Sequence, residues 1–128
     1  MADKALRALG ALLLLANGAV HLQRYNESYQ YVENINRLFV VDAILAALLA
    51  IYVLFVGSTW SLGLGILFQV GTIAALLYAH SQPLADFVQT DLDGWPTVAI
   101  VVELAGAFVL GLDLFASRTR VHERYSRV

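Results

Sequence analysis

The chain has 128 residues, of which 59% are hydrophobic and 14% charged, and its net charge is −2. A soluble domain of this length is about half apolar and a quarter charged, so a mean hydropathy of +0.69 means more apolar surface than an interior of this size can hide. These values exclude a nucleic-acid binder, a secreted disulfide scaffold and a soluble metabolic enzyme, and the absence of cysteine removes thiolate chemistry, iron–sulfur ligation and Cys-type zinc sites.

The remaining solvent is a bilayer, which four spans of roughly 20 residues would cross with short connections between them. The apolar runs predict a single transmembrane domain over 1–128. Its spans fall at 6–23, 38–56, 60–79 and 96–116, with outer loops at 24–37 and 80–95 and a cytoplasmic tail at 117–128. The first run follows Lys4 and Arg7 and ends before Arg24. A secretory signal peptide is its rival reading, but cleavage would leave three spans and a terminus near His21, so a retained helix is expected. The second run holds Asp42 as its one charge and breaks at Gly57 and Ser58. The third opens at Trp60 and is rich in Gly63, Gly65, Gly71, Ala74 and Ala75. The fourth begins at Pro96, suited to a first helical turn, and contains Glu103 and Asp113. The expected fold is all-α, a left-handed polytopic four-helix bundle.

Basic residues set the orientation. Lys4, Arg7, Arg118, Arg120, Arg124 and Arg127 lie beside the ends of the first and last spans, whereas the opposite side has only Arg24 and Arg37; both termini are expected in the cytoplasm. Tyr25, Tyr29, Tyr31 and Trp95 then read as an outer aromatic belt. Leu84, Phe87 and Val88 are spaced for one face of a short helix lying on that surface, beside Asp86. Asp91, Asp93 and Gly94 resemble part of a calcium loop but lack its later ligands, which leaves a solvated turn.

An ionisable group in hydrocarbon costs a few kcal/mol, so each such residue must face protein or water. By rise per residue, His21 and Asp42 lie roughly 9–10 Å and Asn17 and Glu103 roughly 4–5 Å to the outer side of their span centres, with Gln69 near the midplane. Asn17, His21 and Arg24 share one helical stripe; Gly65, Gln69, Thr72, Leu76 and His80 share another; Ala99, Glu103, Gly106 and Ala107 form a small-residue face. The predicted cluster has His21 and Asp42 near an outer mouth flanked by Arg24 and His80, and Glu103 with Asn17 and Gln69 below. Such a set can shuttle a proton, bind a cation or hold a polar substrate, or it can simply pair helices. His21, Asp42 and Glu103 are possible metal ligands, but no tight metal motif supports them, and haem would need His21 and His80 at one depth. No metal and no cofactor are expected.

The segments Gly18-Ala19-Val20-His21-Leu22 and Leu38-Phe39-Val40-Val41-Asp42, the tyrosine-rich loop between them, and Glu103 in the last span resemble uncharacterised small four-helix integral membrane proteins of actinobacterial type. The resemblance implies fold and topology over most of the chain, and no activity. With no catalytic motif, the leading expectation is a non-enzymatic accessory or self-associating bundle in a bacterial cytoplasmic membrane. Its partners would be the lipid bilayer and a homo-oligomer or larger membrane complex, with no nucleic acid. The alternative is a proton- or cation-linked carrier or small-ligand-binding protein using the polar cluster, its ligand unknown. A third possibility is an enzyme at the outer face using Tyr29, His80 and Asp86.

Overall fold

The structure is a computed structural model that describes residues 2–84 and 87–127; Asp86 lies outside these. Among the described residues the chain forms four helices, α1 (Ala2–Glu27), α2 (Ile35–Phe55), α3 (Thr59–Ser81) and α4 (Trp95–Ser126), and one 3₁₀ turn at Tyr29–Tyr31. All four helices are long and apolar enough to cross a membrane. Their connections are short, so successive helices run antiparallel. Both chain ends and the α2–α3 turn share one end of the bundle, the terminal end, while the connections 28–34 and 82–94 share the loop end.

Each helix extends past its predicted span at one end or both, α1 and α4 the furthest. α1 continues to Glu27 because Gln23 Nε2 donates to Glu27 Oε1 (2.9 Å) and Arg24 pairs with the same carboxylate (2.9 Å), both contacts at one-turn spacing. α4 continues through the expected tail to Ser126: no Gly or Pro interrupts residues 112–126, and Arg120 both donates to the Ala116 carbonyl and pairs with Asp3 of α1. The segment after Pro83 is not the expected surface helix. Leu84 and Phe87 exchange backbone hydrogen bonds of 2.8 and 2.9 Å as an isolated bridge. Asp91 and Asp93 do form a turn, the Asp93 amide donating to Asp91 Oδ1 at 2.9 Å.

The apolar core lies toward the terminal end, where Ala11, Leu14, Ala50, Val53, Leu62 and Leu110 pack together. Leu110 of α4 is wedged between glycines of two other helices, since a Cβ on Gly65 would stand 2.9 Å from its Cδ1 and one on Gly10 would stand 2.5 Å from its Cδ2. Gly18 likewise brings α1 onto Ala43 and Ala46 of α2. Below this core, Arg7 Nε stands 3.6 Å from the fully buried Asp113. Its guanidinium also covers Gly57, which has φ +56° and ends α2. A cation there complements both the carboxylate and the α2 C-terminus.

Packing is uneven around the bundle. α1 lies against α2 and α4, and α3 lies against α4, but α2 and α3 barely touch. The outward faces are apolar, with Leu12, Phe55, Phe108 and Phe115 all more than half exposed.

Gly65→Val should overpack the Leu110 site and destabilise the bundle by about 1–3 kcal/mol. Gly63→Val, where a Cβ meets nothing within 4 Å, should stay within about 0.5 kcal/mol of the parent. Unfolding in mild detergent measures both, and equal effects would contradict the Leu110 wedge.

Candidate functional site

Where α2 stands away from α3, a cleft of about 340 Å³ opens in the loop-end half of the bundle. Leu38, Phe39, Val41, Asp42 and Leu45 of α2 form one wall, and Thr72, Ala75, Leu76 and Ala79 of α3 the other. His21 of α1 and Glu103 of α4 complete the inner surface, and Leu84, Phe87, Gln89 and Trp95 close the end nearest the loops. The rim residues Leu38, Val41, Leu45 and Ala75 are exposed, so the cleft opens sideways between α2 and α3.

Helical periodicity brings the polar side chains here. Buried α4 positions fall at Pro96, Ala99, Glu103, Gly106, Leu110 and Asp113, a continuous 3–4 stripe that carries Glu103 inward. Asn17 faces inward on α1 and Gln69 on α3, both fully buried, and Asn17 Nδ2 donates to Gln69 Oε1 at 2.8 Å. Gly106 makes room for this contact, because a Cβ there would occupy the position of Gln69 Nε2.

His21 and Asp42 meet nearer the loops. His21 Nδ1 lies 3.0 Å from the Asn17 carbonyl and 3.1 Å from Asp42 Oδ2. A carbonyl only accepts, so Nδ1 carries a proton and donates it to Asn17. Asp42 Oδ2 is left as a close neighbour of the ring without a hydrogen bond of its own. Glu103 is 1% exposed, and its Oε2, like Asn17 Oδ1 and Gln69 Nε2, has no partner among the described residues. Buried polar atoms are normally satisfied, which makes three orphans in one small region notable. His21, Asp42 and Glu103 line one cleft, yet among the described residues no three His, Asp or Glu side chains converge as a metal-ligand set.

Arg24 and His80 stand beside the cleft and not in its lining. Arg24 pairs with Glu27 and places its guanidinium 6.0 Å from the Trp95 ring centroid. His80 is exposed and donates from Nδ1 to the Gln89 carbonyl at 2.7 Å. Tyr29 leaves the expected aromatic belt and turns inward. It stacks on Phe39 (4.7 Å between centroids, 12° between planes) and meets Phe87 and Trp95 edge-on at 5.4 and 5.7 Å, whereas Tyr31 is 84% exposed. Burial lifts the Tyr29 phenol above its ordinary 10.0, against the opposing influence of Trp95 and Arg24.

Gln89 is the member of the site that the sequence did not announce. Its amide donates to the Ala79 carbonyl (2.7 Å), its Nε2 donates to the Asp91 carbonyl (2.6 Å), and its Oε1 accepts from the Tyr29 hydroxyl (3.3 Å). With the His80 contact, these bonds clamp the second connection over the end of the cleft. A glutamine in a polar loop carries no periodic signal, so only the fold reveals it.

Fold and site together define a four-helix bundle with a lateral, apolar cleft that has carboxylates and an imidazole on its inner surface. No family model, no curated protein and no solved structure matches the chain.

Asn17→Ala should cost about 1–3 kcal/mol by stranding Gln69 Oε1. Adding Gln69→Leu should recover part of that loss, and a double-mutant cycle of unfolding free energies that showed no coupling would contradict a shared bridge. The raised Tyr29 phenol binds its proton more tightly in the folded state than in the unfolded chain. Stability contributed by that proton is therefore complete below pH 10 and lost as pH rises through the folded-state value. Alkaline unfolding midpoints should accordingly fall less steeply in Tyr29→Phe than in the parent.

Proposed function

We propose that the chain is a multi-pass protein of a bacterial cytoplasmic membrane, both termini inside, that binds a small molecule in the cleft between α2 and α3. One observation carries the binding reading: Glu103 lies 1% exposed with an unpartnered Oε2, yet it lines a cleft that is open at the side. Asn17 and Gln69, equally buried, bond to each other across helices, whereas Glu103 Oε2 has no partner among the described residues. The cleft also has the composition of a ligand site, mostly apolar with a few convergent polar groups. Membrane placement is supported by four helices of sufficient length and hydropathy and by the apolar outer faces. Orientation is supported by the basic residues gathered at the terminal end.

The accessory or self-associating reading rests on less. The small residues that motivated it at Gly65 and Gly106 are used inside the bundle, where they accommodate Leu110 and Gln69. A carrier would use the same cleft, with His21, Asp42 and Glu103 as its polar groups.

Because the chain has no cysteine, single cysteines report on both proposals. In intact cells an impermeant thiol reagent should label Ser28→Cys, and should label Ser126→Cys only after permeabilisation; the reverse pattern would invert the topology. In nanodiscs Thr72→Cys, which lines the cleft, should react with a small methanethiosulfonate far faster than Val70→Cys, half exposed on the outer face. Equal sluggishness at the two positions would remove the accessible cleft.

A further inference from the structure

The chemistry of the cleft narrows what can occupy it, given the binding reading above. Among the described residues its charged groups are two carboxyls and one imidazole, and no Lys or Arg lines it. The nearest guanidinium in the aromatic cluster, Arg24, is held by Glu27 and the Trp95 face. The His21 Nδ1 proton is already given to the Asn17 carbonyl. Asp42 Oδ2 and Glu103 Oε2 therefore lack hydrogen-bond donors, and the lining offers no cation besides a protonated His21 to balance them. A missing partner that is both donor and cation is an ammonium group. A bare metal ion fits less well, since no converging ligand set exists among the described residues.

The rest of the lining specifies the body attached to that group. The rim at Leu38, Val41 and Leu45 is apolar and laterally open, so a ligand arriving there meets the hydrocarbon side of the bundle before the carboxyls. Phe39 and Trp95 add aromatic surface, which suits apolar groups and cations alike. At about 340 Å³, the space is at the small end of the range for organic ligands.

We infer that the cleft takes a primary or secondary ammonium ion on a compact apolar body, entering sideways between α2 and α3 and setting its N–H groups against Glu103 and Asp42. The ammonium supplies donors and a charge to the two carboxyl groups that line the cleft, and the apolar body replaces lipid or water at the rim.

Three probes of matched shape test this in nanodiscs, with empty nanodiscs subtracting partition into lipid: 2-phenylethylammonium, 2-phenylethanol and 3-phenylpropionate. Isothermal calorimetry on the parent protein should show saturable binding of the ammonium at least about tenfold tighter than the alcohol, the advantage of a charge-assisted hydrogen bond, and no binding of the carboxylate. In Glu103→Gln, which keeps the side-chain shape, the preference for the ammonium over the alcohol should shrink to about threefold or less. Equal binding of alcohol and ammonium in the parent would overturn the ammonium inference while leaving a ligand-binding cleft. Binding of none of the three would also overturn it, and the Thr72→Cys reactivity then decides separately whether an accessible cleft exists. The comparison of probes on the parent protein stands even if Glu103→Gln fails to fold.

Discussion

The hydrogen bond from Asn17 to Gln69 is the contact around which the bundle is arranged. It joins α1 to α3 at full burial, and it exists because Gly106 yields the volume that the Gln69 amide occupies. α3 packs on α4, α2 is held to α1 by the close approach at Gly18, and contact between α2 and α3 is sparse. The cleft is the consequence of that asymmetry.

The two ends of the molecule use charge differently. At the terminal end Arg7 finds Asp113 and the C-terminus of α2, and Arg120 finds Asp3, so acids and bases are matched across helices. At the loop end, Arg24 turns to Glu27 and Trp95, and the carboxyls of Asp42 and Glu103 are left with one imidazole. In the membrane reading, the cost of a buried ionisable group makes this contrast informative. One end brings cations to its carboxylates; at the other, no Lys or Arg among the described residues lines the cleft that Asp42 and Glu103 share. The connection carrying Gln89 is tied to Ala79, His80 and Tyr29 over this end, which directs access to the side.

Much of this was legible in the residues. The existence and order of the four helices follow from apolar runs interrupted at Gly57 and Ser58 and by the polar connections, because hydropathy is a property of each segment alone. The inward positions of Asn17, Gln69 and Glu103 follow from 3.6-residue periodicity, and the shared depth of His21 and Asp42 anticipates their 3.1 Å approach. Helix ends were less legible, since the continuation of α4 depends on Arg120 finding both Ala116 and Asp3. The apolar spacing of Leu84, Phe87 and Val88 did not give a helix, because Leu84 and Phe87 commit their backbone groups to each other. Tyr29, grouped by composition with Tyr25 and Tyr31, separates from them once Phe39, Phe87 and Trp95 form a pocket for its ring.

The amino-acid order alone therefore dictates four apolar helices, the faces they turn inward and the polar residues on those faces, since each depends on neighbours within a few turns. Which helices approach and which stay apart depends on contacts between residues far apart in the chain, such as Asn17 with Gln69 and Gly65 with Leu110. Those contacts turn on the room that particular glycines leave, and this becomes fixed only when three helices meet at one point. The cleft between α2 and α3, the buried Glu103 in its wall and the Gln89 clamp above it all arise at that level, because each is set by where helices do not touch.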